Sequence, residues 1–122
     1  MDTELKIELE FFDGDNGKIC LVKMIGTIDA YTASIAEKSL NTIIEQGCYN
    51  VIVDFKELEY MSSAGFGVLV AILDVLMLKT GNMIILNLSP KLNKIFTYLG
   101  LINIFKVFDD KIQALTHLGA KL

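Results

Sequence analysis

Between residues 5 and 11 apolar and polar side chains alternate. Leu5, Ile7, Leu9 and Phe11 fall on one side and Lys6, Glu8 and Glu10 on the other, which is the period of a strand with one face covered. The segment DGDNG at 13–17 is rich in residues that accept a positive φ, and the apolar run 19–25 follows at once, so the first two strands form a hairpin. The rhythm then changes. Ala33, Ala36, Leu40, Ile43 and Ile44 recur at helical spacing, with Asp29 placed to cap the start and Gly47 to end it. Val51, Ile52, Val53 and Phe55 make a short continuous apolar run, as in a strand covered on both faces, and the charged loop KELEY leads out of it. A second helix begins at Ser62 or Ser63 and ends near residue 79, with Phe66, Leu69, Val70, Leu73, Leu76 and Met77 inward and Gly81 where the helix stops. MIILNL at 83–88 is the next strand. Ser89 and Pro90 then supply a cap and a first-turn proline for a short helix that buries Leu92, Ile95, Phe96 and Leu99 before Gly100 closes it. Residues 105–108 make a last edge strand. Asp109 or Asp110 caps a final helix with Ile112, Leu115 and Leu118 inward.

Strands separated by helices at crossover spacing require parallel neighbours. The fold class is therefore α/β: one mixed sheet of four to five strands, an N-terminal hairpin followed by parallel crossovers, packed with about four helices. The 122 residues suit one domain over 1–122, without internal repeat or linker. The longest apolar stretch, 64–78, is broken by Asp74 and is shorter than the roughly 20 residues of a bilayer crossing, so it reads as a buried helix and not a membrane span. MDTELKIELE has neither the basic start nor the apolar run of a secretion signal, and a cytoplasmic protein is expected.

Charge narrows the function. Eleven lysines and no arginine stand against fifteen acids, a net charge of -4, which argues against nucleic acid as a partner. Residues 1–17 carry six of the acids and one lysine, so one edge of the molecule is acidic. Cys20 and Cys48 read as buried thiols, without metal or redox spacing. His117 is the one histidine and reads as surface; no metal and no cofactor are expected. HExxH, GxxxxGK and GxSxG are all missing, which leaves little for a hydrolase or nucleotide triphosphatase, and the expectation is a protein without catalysis.

The informative stretch is YMSSAGFG at 60–67, between the third strand and the second helix. Ser62 and Ser63 stand at the helix entrance, where a hydroxyl ordinarily accepts a bond from a first-turn N–H. The same place suits a phosphate, because the free N–H groups and the helix dipole favour negative charge. No base is at hand to make either serine a nucleophile, so modification by another enzyme is the functional reading beside simple capping. Phe66 between Gly65 and Gly67 is core or an apolar anchor for a partner. Lys91 and Lys94 read as a solvated face.

GTIDAYTA at 26–33, VIVDFKELEYMSSAGFGVLV at 51–70, NLSP at 87–90 and LGLINIFKVFDD at 99–110, in this order of elements, resemble a STAS domain, and more closely the stand-alone bacterial anti-sigma-factor antagonists. The resemblance covers nearly the whole chain, with 51–70 its most specific part. It implies a serine at the start of the second helix that is phosphorylated by a partner kinase, itself the anti-sigma factor. The unmodified protein binds that partner and frees a sigma factor, the phosphorylated form does not, and a serine phosphatase resets the switch. The family pattern Asp-Ser-Ser-Gly aligns with Ser62, Ser63, Ala64 and Gly65, which places the acceptor on Ser63. Ser62 replaces the acidic residue and becomes a rival acceptor; Ala64 replaces the second serine. Asp29, Ser62, Ser63, Ala64, Gly65 and Phe66 are the partner-binding residues that the resemblance implies. The alternatives are an adaptor of the same fold in another kinase-phosphatase or sensory complex, and a small-ligand-binding module.

Overall fold

The computed structural model describes residues 4–122. β1 (Leu5–Gly14) and β2 (Gly17–Ile28) form the expected antiparallel hairpin, closed at Asp15 and Asn16 with Gly14 opposite Gly17. α1 (Ala33–Glu45) carries the chain over the sheet to β3 (Asn50–Asp54), which pairs parallel with residues 19–23 of β2 and is buried along its length. β2 is longer than β3. Its last residues, Gly26, Thr27 and Ile28, are left without that neighbour and pair instead with a short parallel strand, β4 (Leu58–Met61). The loop KELEY is thus half strand, which corrects the expected four to five strands to six in one sheet. Only Leu58 and Met61 of β4 are buried, so neither a continuous apolar run nor a clean alternation marks it in the sequence.

From β4 the chain enters α2 (Ser63–Leu78), then β5 (Asn82–Leu86), α3 (Pro90–Tyr98), a 3-10 turn at Leu101–Asn103, β6 (Lys106–Phe108) and α4 (Lys111–His117). The strand order is β1-β2-β3-β5-β6, with β4 beside β2. Two cores result. Cys20, Val22 and Met24 of β2, Val51 and Val53 of β3 and Met83 and Ile85 of β5 pack under α1, α2 and α3; Ile19, Leu21, Ile52, Ile84 and Leu86 point the other way and pack under α4. Ser89 accepts from the Leu92 N–H at 3.1 Å and Asp110 from the Gln113 N–H at 3.0 Å, as their positions before the two helices predict. Gly47, at φ 89°, closes α1 in the left-handed conformation that glycine adopts without strain.

Several inward assignments are corrected. Leu9 and Phe11 lie on the side expected, but β1 is the sheet's edge and α1 only partly reaches over it, leaving them 47% and 49% exposed. Leu99 and Ile112 are exposed because each falls at an end of its short helix, and Ala114 takes the inward place in α4. In α2 the buried residues are Gly65, Val68, Leu69, Ile72 and Leu76, whereas Phe66, Val70 and Leu73 are half-buried and Met77 is 63% exposed. That helix is apolar nearly all round, so periodicity gave no phase from which to pick its buried face.

Candidate functional site

The pairing of β4 with the end of β2 delivers the chain to the mouth of α2. The Ser62 N–H donates to the Ile28 carbonyl at 2.8 Å, continuing the ladder by one residue, and the helix begins at Ser63. Gly65 permits this close approach. A Cβ there would stand 2.6 Å from Met61 Cγ and 2.8 Å from Ile28 Cγ2, so only a residue without one lets the first turn of α2 rest on the ends of β2 and β4. Gly67, two positions on, has open space around it.

Ser62 is the N-cap residue by backbone conformation, with φ -84° and ψ 173°, yet its side chain makes no capping bond. Its Oγ is buried and has no hydrogen-bond partner among the described residues. Ser63, the first residue of the helix, is exposed, as is Ala64 beside it. The first-turn N–H groups of a helix have no intrahelical acceptor. Those of Ser63 and Ala64 have no side-chain cap among the described residues and stand at the positive end of a 16-residue helix. The site so built is an exposed serine beside first-turn amides that no side chain caps among the described residues.

Asp29 follows Ile28 directly and belongs to the same corner of the molecule. It does not cap α1 as expected: one turn intervenes, and Thr32 takes the N-cap position. Asp29 Oδ1 instead accepts from the N–H groups of Tyr31 at 2.8 Å and Thr32 at 3.0 Å, and from Thr32 Oγ1 at 3.2 Å. These bonds, the Thr32 N–H foremost, hold its carboxyl below the ordinary carboxylate range. Thr32 Oγ1 also donates to the Thr27 carbonyl at 2.7 Å, so the loop is tied back to β2 and Tyr31 is held out in solvent, 85% exposed. Tyr31 did not stand out in the sequence; a large aromatic two residues after a turn-forming aspartate is the signal that could have found it.

Of the residues singled out by resemblance, the fold brings Asp29, Ser62, Ser63 and Ala64 to one corner. Gly65 is buried. Phe66 is half-buried and meets Phe96 of α3 edge to face, with ring centroids 5.4 Å apart, while Phe96 in turn packs on Phe105. Phe66 thus serves the α2–α3 contact. Lys91 and Lys94 are exposed on α3, and His117 lies exposed with its ring 5.3 Å from that of Phe108. Cys20 and Cys48 are buried free thiols; burial pushes Cys20 up to about 12 and raises Cys48 as well. Among the described residues no group of three or more His, Cys, Asp or Glu is placed to hold a metal ion, and no helix is long and apolar enough to cross a membrane.

Comparison with known proteins agrees with this architecture. The family model described as STAS domain matches residues 7–114. An anti-sigma F factor antagonist of Paenibacillus polymyxa is 26% identical over 115 residues, covering 93% of this chain and 95% of that protein. Among solved structures, an anti-sigma factor antagonist from Mycobacterium paratuberculosis superimposes with a TM-score of 0.84 at 22% identity, over 97% of both chains. The Bacillus cell fate determinant SpoIIAA in its phosphorylated form gives 0.71 at 24% identity, over 92% of this chain and 98% of that one.

Proposed function

The chain belongs to the STAS domain family, and within it we propose that it acts as an anti-sigma-factor antagonist whose hold on its partner is switched by phosphorylation of Ser63. The observation that carries this reading is the arrangement at the mouth of α2: an exposed Ser63 hydroxyl next to first-turn amides that no side chain caps. Unmodified, the corner presents the small side chains of Ser63 and Ala64 beside Asp29 and the exposed Tyr31, a surface on which a partner packs. The partner is an anti-sigma factor with serine kinase activity. It transfers the γ-phosphoryl group of ATP to Ser63 Oγ, the hydroxyl proton leaves, and ADP is released.

A phosphoserine carries roughly -1.5 to -2 charges at pH 7. At this corner it adds bulk at the contact and sets an anion near the Asp29 carboxylate. The first-turn N–H groups and the helix dipole favour the phosphate where it stands, so the surface changes while the fold stays. A serine phosphatase reverses the change. In this reading the protein's own part is to present the Ser63 hydroxyl to the kinase and to bind, in keeping with a relative named as an anti-sigma factor antagonist. Ser62 is the poorer acceptor because its Oγ is buried.

The assignment is tested with the cognate kinase and ATP. Fragment mass spectrometry is expected to place one phosphate on Ser63; Ser63→Ala keeps kinase binding and Ser63→Asp weakens it. A phosphate found only on Ser62, or on neither serine, overturns the reading.

A further inference from the structure

The face of the sheet opposite α1, α2 and α3 is covered only in part, by α4. On the part left open, Lys23, Asp54 and Leu86 stand side by side in register on β2, β3 and β5, and Asp54 and Leu86 are the last residues of their strands. With Leu21, Lys56 and Asn87 they line a groove of about 680 Å³. The carboxyl ends of parallel strands are where open α/β sheets take small molecules.

Asp54 is the one carboxylate buried among the described residues, at 8% exposure. Its Oδ1 accepts from the Lys56 N–H and from Asn87 Nδ2, each at 3.0 Å, whereas its Oδ2 accepts no bond among the described residues. A carboxylate withdrawn from water costs free energy unless its remaining acceptor sites are filled. The neighbouring charges at the groove are satisfied within the chain: Glu8 pairs with Lys6, Glu10 with Lys111 and Lys23 with Glu57. Lys56 is exposed and makes no salt bridge among the described residues. What the groove offers a ligand is therefore one anion, Asp54, and one cation, Lys56, two residues apart in the chain and beside the apolar side chains of Leu21 and Leu86.

We propose that this groove binds a small zwitterion, an α-amino acid with an apolar side chain. Its ammonium donates to Asp54 Oδ2, its carboxylate meets Lys56 Nζ, and its side chain lies against Leu21 and Leu86. A ligand with only a negative charge would leave the buried oxygen of Asp54 unfilled and be repelled by it. One with only a positive charge would leave Lys56 unpaired and opposed to it. The groove lies on the opposite face of the sheet from α2, so the inference stands apart from the phosphorylation reading.

The test titrates the ¹⁵N-labelled full chain with L-leucine, with L-leucinamide, which lacks the carboxylate, and with 4-methylpentanoate, which lacks the ammonium. Leucine is expected to shift the amide resonances of Asp54, Lys56, Leu86 and Asn87 and to bind at least tenfold more tightly than either analogue. Asp54→Asn keeps the size of the side chain and an oxygen for the two amide donors; it should weaken leucine binding at least tenfold and leave 4-methylpentanoate no weaker. Lys56→Gln, a change at an exposed residue, should weaken leucine and leave leucinamide no weaker, and Ser63→Asp should bind leucine as the wild type does. No shift at these four residues in millimolar leucine, equal binding of the three compounds, or wild-type leucine affinity in Lys56→Gln overturns the proposal and leaves the reading of Ser63 untouched.

Discussion

Ser62 and Ser63 carry the same side chain on adjacent residues, and the structure gives them opposite circumstances: one hydroxyl buried and without a partner among the described residues, the other on an exposed residue. A serine that truly caps a helix loses about 1 kcal/mol when replaced by alanine. Ser89, which accepts from Leu92 N–H, should do so. Ser62 should not, since Ser62→Ala removes a buried hydroxyl that no bond compensates; urea unfolding is expected to show equal or higher stability. Asp29 gives a prediction in pH. Its folded value lies below the ordinary 3.8, so the stability it contributes is complete above that value and is lost as pH falls through the folded one. The stability difference between wild type and Asp29→Ala should therefore be full at pH 7 and shrink in acid below the ordinary value. The thiols are simpler. With Cys20 pushed up to about 12 and both sulfurs buried, neither cysteine should react with a thiol reagent at pH 8 until the protein is unfolded.

At the scale of elements, the two glycines flanking Phe66 look alike in the sequence and differ in space. Gly65→Ala drives a methyl against Met61 and Ile28 and should cost about 1–3 kcal/mol. Gly67→Ala meets nothing and should stabilise the helix by about 0.5–1 kcal/mol, a pair of shifts that thermal unfolding reads directly. The sequence was legible wherever a period or a cap was strong: the hairpin, α1, the buried β3, and α3 after Ser89-Pro90. It was illegible where tertiary geometry decides. β4 exists because β2 outruns β3, which no local pattern in residues 58–61 encodes. The phase of α2 was lost because a helix with one charge points nowhere by periodicity, which is why Met77 was assigned inward and stands exposed. At the corner itself, residue type and position marked the pair Ser62 and Ser63, the resemblance proposed Ser63 as the acceptor, and Tyr31 needed the tie between Thr32 and β2 to be seen.

Across the whole molecule, the sheet separates a thick layer of three helices from a face that α4 covers in part. Beyond α4 on that second face, at the strand ends, Asp54 is buried with its Oδ1 accepting from the Lys56 N–H and from Asn87 Nδ2, each at 3.0 Å. Asp54 pins the ends of two neighbouring parallel strands, and Asn87 holds its turn at a positive φ of 62°. The corner at Ser63 rests on the ends of β2 and β4 in the same sheet, and the proposed switch requires that a phosphate there alter what docks without altering what is folded.

That separation of surface from fold is the central claim, and calorimetric titration of the cognate anti-sigma factor tests it most directly. The titrant is met first by unmodified protein and then by the same protein fully phosphorylated on Ser63. The account predicts that the phosphate weakens binding at least about 100-fold, close to 3 kcal/mol. Equal affinity in the two titrations would contradict it.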